Sequence, residues 1–282
     1  MGDWALRQRT ITPASFLLLH AIVTIPAPLP IKHPRTLPVL GTPLAVTSYA
    51  ELSEFLFRRA AAAGPFVVDF SNTQIVTMRR HEEGFRETTQ GVDLFVPDGM
   101  PLIWCLNRQG AGLKDRVYGP TFLRECIARS PQEVRHYFFG ASKECLDALL
   151  KKVIELNPGI TICGSRTGYF SRDDETRIAE DILQARPDML WVGLGTPKQQ
   201  EWINRWKGAF PAGVLLAVGF AFDVNAGTKP DAPGWMQKYG LTWIYRIASE
   251  PRRLAWRYLK WNSLFLFYLL RDFLDNKSPE GW

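Results

Sequence analysis

From Leu37 onward the apolar residues alternate between two arrangements: short continuous runs, and longer stretches in which they recur every third or fourth position. The runs are PLAVTS (43–48), PFVVDF (65–70), DLFVP (93–97), RHYFFG (135–140), ITICG (160–164), MLWVGLG (189–195) and GVLLAVGF (213–220). They are rich in β-branched and aromatic residues and bounded by Gly, Pro or Asp, which reads as buried strands. Between them lie YAELSEFLFRRAAAAG (49–64), TQIVTMRRHEEGFRETTQG (73–91), SKECLDALLKKVIEL (142–156), RDDETRIAEDILQA (172–185) and PKQQEWINRWKG (197–208), which carry helical periodicity. Strand and helix in alternation predict an α/β fold, a parallel sheet with helices on both faces, whose site is formed by the loops at the strand C-terminal ends.

After Gly227 the pattern changes to a basic, wholly helical one. This divides the chain into an irregular N-terminal extension (1–36), an α/β core (37–228) and a basic helical C-terminal appendage (229–282). The appendage holds Arg246, Arg252, Arg253, Arg257 and Lys260 against the single acid Glu250 between positions 246 and 260. It continues through Trp256, Tyr258, Trp261, Phe265, Phe267, Tyr268 and Phe273. Cations attract phosphate and anionic headgroups, and Trp and Tyr suit the boundary between apolar and wet zones, so the segment reads as directed at an anionic membrane surface. A core helix with a solvated basic flank is the competing reading.

In the extension, Arg7 and Arg9 precede the apolar run SFLLLHAIVTI, which ends at Pro26, Pro28 and Pro30. The run resembles a secretion signal superficially, lacks a clear small-x-small cleavage site, and is too short and Pro-broken to span a bilayer.

With 282 residues, 46% of them hydrophobic, the chain can bury a substantial core, and disorder is excluded. A formal charge of +6 favours a polyanionic partner. No nucleic-acid module or base-reading basic helix is present, so nucleic acid is not expected. Cys105, Cys126, Cys145 and Cys163 are far apart, and none of the four histidines has a ligand-like neighbour, so no metal site is expected. Homo-oligomerisation is left open.

Four strand ends carry the candidate chemistry. At VGLGTPKQQ (192–200) glycines end a strand and a helix begins, with Thr196 a cap and Pro197 suited to the first turn. Such a turn can bind phosphate through Gly193 and Gly195, with Lys198 and Gln199 beside it; packing explains glycines there equally well. Asp98 in FVPDGM follows another strand, where a carboxylate can accept a proton from a hydroxyl or simply form a turn. Asp223 and Asn225 in GFAFDVNAG can hold ribose or base groups, or brace their own loop. Asn72, with Gln74 after it, also sits at a strand end, where it can cap the following helix.

Together and in this order these segments resemble the WecG/TagA/CpsF family of bacterial glycosyltransferases. The likeness rests on Asn72, VPDGMPLIW from Val96, RVYGPTFL from Arg116, GITICGSRTGYF from Gly159, PDMLWVGLGTPKQQEWI from Pro187, VGFAFDVNAG from Val218, and DAPGW…YGLTWIYRIASEPRRLAWRY from Asp231. It implies a Rossmann-like core and the inverting transfer of a sugar, N-acetylmannosamine or a related hexose, from a UDP donor to an undecaprenyl-diphosphate-linked saccharide. It also implies peripheral attachment at the cytoplasmic face of the cell membrane, a role in surface polysaccharide or teichoic acid synthesis, and no cofactor or metal. By the same resemblance Asp98 is the general base. Asn72, Gly193, Gly195, Lys198, Gln199, Asp223 and Asn225 surround the donor, and Arg116, Arg246, Arg253 and Arg257 meet the diphosphate. Phe70, Gln74, Gln200 and Thr242 depart from the residues usual in the family. Two other readings compete with this one: a nucleotide-binding oxidoreductase, which wants an earlier and complete Gly-x-Gly-x-x-Gly, and a non-catalytic protein docked at a membrane.

Overall fold

The computed structural model describes residues 31–275. The extension expected over residues 1–36 falls, up to Pro30, outside the described residues. In chain order the strands are β1 (Thr36–Val39), β2 (Thr42–Ala45), β3 (Phe66–Ser71), β4 (Leu94–Pro97), β5 (Arg135–Gly140), β6 (Thr161–Arg166), β7 (Met189–Gly193) and β8 (Val214–Ala217). They form one sheet in the order β1-β2-β4-β3-β8-β7-β5-β6. Every neighbouring pair is parallel except β1 and β2.

Alternation along the central strands explains why helices cover both faces. Val68, Phe70, Phe138, Trp191 and Leu216 point to one side, where they pack with α1 (Tyr49–Ala60), α5 (Gly119–Arg129), α6 (Lys143–Leu156) and α9 (Ala221–Ala226). Val67, Tyr137, Phe139, Leu190, Val192 and Leu215 point to the other, against α7 (Glu175–Ala185) and α8 (Lys198–Trp206). A strand buried on both faces needs apolar residues at every position, which is why these segments read as continuous runs. The same second face continues over β4, where Phe95 packs with Leu102, Ile103 and Leu106 of α4 (Met100–Arg108).

The antiparallel hairpin β1–β2 departs from the expected all-parallel sheet. Leu40 (φ 49°) and Gly41 (φ 79°) form its two-residue turn, the geometry that matches strand twist in a tight hairpin. Pro38 and Pro43, which face each other across it, obscured it in the sequence; Pro38 is on the edge strand β1, where a missing N–H costs no ladder bond. The helical stretch over 73–91 is also divided. Glu82 is extended (φ −115°, ψ 109°) and separates α2 (Thr73–His81) from α3 (Glu83–Thr88).

Beyond β8 the chain is helical: α10 (Gly234–Lys238), α11 (Thr242–Ser249) and α12 (Pro251–Leu274). Pro251 starts α12 where its absent N–H has no intrahelical partner to lose. One face of α12 is anchored on α2. Trp261 packs with Ile75, Met78 and Phe85; Asn262 accepts from Thr73 at 3.0 Å; Tyr268 Oη lies 2.7 Å from His81 Nδ1. The fully buried Asp272 pairs with Arg80 at 3.3 Å. The opposite face leaves Trp256, Leu259, Leu266, Phe267 and Leu270 exposed. Among the described residues no helix is long and apolar enough to cross a membrane.

Candidate active site

The loops after β3, β4, β7 and β8 converge with α11 and α12 on a polar cavity of about 470 Å³. Asn72, Asp98, Gly193, Gly195, Lys198, Gln199, Asp223, Arg246, Arg253 and Arg257 all line it. Residues from six separate segments of the sequence are thereby brought to the carboxyl edge of the sheet, as expected for an open α/β fold.

Asp98 follows β4, its own N–H bonded to the Ser71 carbonyl at 2.8 Å. Its Oδ1 accepts the Gly119 N–H at 2.7 Å. Burial pushes this carboxyl up to about 7, against the opposing pull of Arg116, the Gly119 N–H and Arg246. An acid that loses its proton near neutrality is matched to general-base work. Behind it, Asp69 of β3 is fully buried and accepts from Ser71 Oγ at 2.6 Å and Gln200 Nε2 at 2.7 Å. Desolvation raises its pKa as well, and the two hydrogen bonds oppose that shift.

The glycines of the 193–195 turn have different causes. A Cβ on Gly193 would sit 2.8 Å from the Phe222 ring, so that glycine is required by packing; Gly195 has open space and is required by its φ of 79°. The expected Thr196 cap is absent. Pro197 occupies the cap position of α8 without a side-chain bond, and Gln199 Oε1 accepts the Gly195 N–H at 3.1 Å. Gln199 is thus a brace that takes one of the donors the turn would otherwise present. Lys198 Nζ bonds the Gly168 carbonyl at 3.1 Å and lies 3.9 Å from the Phe170 ring centre.

Two of the residues expected at the site lie outside this cavity. Asn225 does not line the cavity: its amide donates to the carbonyls of Pro120 and Ala221 at 2.9 and 2.8 Å, tying α9 to the start of α5. Arg116 is buried and lies outside the polar cavity, lining instead the second cavity described below; its hydrogen-bond acceptors are neutral and leave its charge in place. It donates to the Asp98 carbonyl (3.1 Å), Gln237 Oε1 (3.3 Å) and Thr242 Oγ1 (3.2 Å) while lying over the Tyr118 ring. Asn72 has a cap bond, accepting the Ile75 N–H at 3.2 Å, and still lines the cavity.

The cations of the appendage differ in availability. Arg253 is paired with Glu250, which also binds Lys229 at 3.2 Å; Lys229 reaches on to Asp223 at 3.6 Å. These charges largely neutralise one another. Arg246 lies 3.7 Å from the Phe220 ring centre, and Arg257 has a buried Nε without a hydrogen-bond partner. Desolvation lowers the Arg257 pKa. An unpartnered buried guanidinium nitrogen is costly. Lys229 and Phe220, which no spacing rule marks in the sequence, also line the cavity, and so does Tyr258, expected from sequence at a membrane surface.

A second cavity, about 380 Å³ and mainly apolar, opens from the same centre between α4 and α12. Asn72, Asp98, Phe220, Arg246 and Tyr258 line both. Among the described residues no group of three His, Cys, Asp or Glu side chains is gathered as a metal cluster.

A carboxyl that burial raises to about 7 thus shares one cavity, at the carboxyl edge of a parallel sheet, with three arginines, an arrangement that fits a glycosyltransferase. Residues 37–279 match the profile of the glycosyl transferase WecG/TagA/CpsF family, and the chain belongs to that family. A Bacillus subtilis (strain 168) relative named N-acetylglucosaminyldiphosphoundecaprenol N-acetyl-beta-D-mannosaminyltransferase is 28% identical over 199 residues, 70% of this chain and 75% of the relative. A relative of the same name from Staphylococcus aureus (strain MW2) is 27% identical over 223 residues, 77% of this chain and 86% of its own. The oxidoreductase and non-catalytic readings find no support in these matches.

Proposed function

We propose that this glycosyltransferase moves an N-acetylhexosamine, N-acetylmannosamine first among them, from UDP to a saccharide carried on undecaprenyl diphosphate, with inversion. The names of the relatives support the sugar and the acceptor. The observation that carries the reading is the meeting in one cavity of Asp98 with Arg246 and Arg257.

In this reaction Asp98 takes the proton of the acceptor hydroxyl as its oxygen bonds to the anomeric carbon. The bond from that carbon to the UDP oxygen breaks, and the departing diphosphate carries the electron pair to Arg246, Arg257 and Lys198. Fixed cations in a site shielded from water stabilise such developing charge strongly, so the scheme needs no metal ion. The exposed aromatic and apolar face of α12, beside the basic residues of α11 and α12, supports peripheral attachment to an anionic membrane, at the cytoplasmic face where UDP-sugars are made.

A screen of UDP-sugars against N-acetylglucosaminyl diphosphate on a prenyl carrier, with the product linkage read by NMR, tests the proposal. Transfer of N-acetylmannosamine in a β linkage is expected. Turnover of none of the UDP-sugars, or stabilisation by NAD and not by UDP, would sink it.

A further inference from the structure

The apolar cavity plays no part in the reaction as written above, although it opens on the reacting centre. Its walls are Met100, Pro101 and Trp104 of α4, Trp243 of α11, and Leu266 and Leu269 of α12. Its volume of about 380 Å³ lies within the range of small-molecule sites, about 300–1,000 Å³. At one end stand the polar groups it shares with the first cavity, Asp98, Asn72 and Arg246. At the other, Trp104 and Leu266 are 52% and 65% exposed. Leu266 belongs to the same outward face of α12 as Leu259 and Leu270. The groove therefore runs from an exposed apolar surface to a cation beside the candidate base.

A ligand complementary to that sequence of surfaces has a hydrocarbon end, then an anionic group, then a hydroxylated group. We propose that the groove between α4 and α12 binds the first isoprene units of the acceptor's own lipid, so that its diphosphate lies near Arg246 and its sugar reaches Asp98. This rests on the acceptor class proposed above. It adds that protein, and not only the bilayer, holds the start of the hydrocarbon chain. Burying successive apolar units in a preformed groove lowers KM with each unit until the groove is full, after which further length has no effect.

The test uses the full chain in solution without membrane or detergent. N-acetylglucosaminyl diphosphate acceptors with methyl, prenyl, geranyl and farnesyl tails are compared. The expected result is a kcat/KM that rises several-fold per isoprene unit and then levels off. Trp104→Ala is expected to cut the farnesyl-to-methyl ratio about tenfold, as loss of an aromatic anchor does. Leu274→Ser, on the exposed side of α12 and outside the groove, is expected to leave that ratio unchanged. A farnesyl acceptor bearing a terminal diazirine is expected to label α4 and α12 at Trp104 or Leu266. Turnover that is indifferent to tail length, or label found only away from α4 and α12, would overturn the groove assignment and give the space to bilayer chains or another segment of the protein. In that outcome transfer to the methyl acceptor still upholds the proposed reaction; failure with every acceptor rejects the reaction itself.

Discussion

The guanidinium of Arg116 grips the main-chain carbonyl of Asp98 at 3.1 Å and, with its other nitrogen, reaches Gln237 and Thr242. One side chain thus joins the loop of the candidate base to α10 and α11. Its charge also holds the Asp98 pKa down. Arg116→Gln is expected to lower kcat about tenfold and move the rising limb of the kcat/KM profile to higher pH, with Arg116→Lys restoring the limb in part. The variant also leaves buried acceptors short of donors, which costs about 1–3 kcal/mol of stability. An unmoved limb in pH-rate measurements would reduce Arg116 to a packing role.

Asp98→Asn is expected to lower turnover by about 10²–10⁴-fold while preserving stabilisation by UDP. In the parent enzyme kcat/KM should rise with pH along a limb near 7. Stability runs the other way. The folded carboxyl keeps its proton up to about 7 and the unfolded one loses it near 3.8. Between those values the native state binds more protons, so this contribution is complete below the lower value and is lost as pH climbs to the higher. Melting curves at pH 5 and pH 8 should therefore show the Asn variant gaining on the parent toward pH 8.

Arg257→Met separates binding from stability. Removing a buried charge whose Nε has no partner should stabilise the unliganded protein by about 1 kcal/mol or more. The same change should weaken UDP roughly tenfold, since hydrogen bonds to charged groups contribute about 1.5–3 kcal/mol. Calorimetry of unfolding and of UDP binding measures both. Destabilisation together with unchanged UDP affinity would contradict the assignment.

Flotation with anionic vesicles should carry the protein upward at low salt and less so at high salt, each basic residue near the surface contributing about 1 kcal/mol before screening. Trp256→Ser combined with Phe267→Ser, both on the exposed face of α12, should weaken flotation at either salt. Absence of flotation under every condition would return α12 to a purely structural role.

The strands with most of the candidate site were legible because covered strands leave unbroken apolar runs, and the turns that end them carry Asp98, Asn72 and the 193–195 glycines. What stayed hidden depends on distant partners. Asn225 looked like a ligand because nothing near it in sequence announces the Pro120 carbonyl that occupies its amide. The partners of Arg116 were equally hidden, because Gln237 and Thr242 lie far along the chain. The α4–α12 groove had no local signature at all: only the meeting of α4 with α12 leaves Trp104 beside an open space.

Because α12 is riveted to α2 through Trp261, Asn262, Tyr268 and Asp272, and α2 begins immediately after Asn72, the outermost helix and the reaction centre form one lever. Arg80 and His81, at the far end of α2, are where Asp272 and Tyr268 of α12 are held. A displacement of the outermost helix would therefore be passed on to the element that starts beside Asn72.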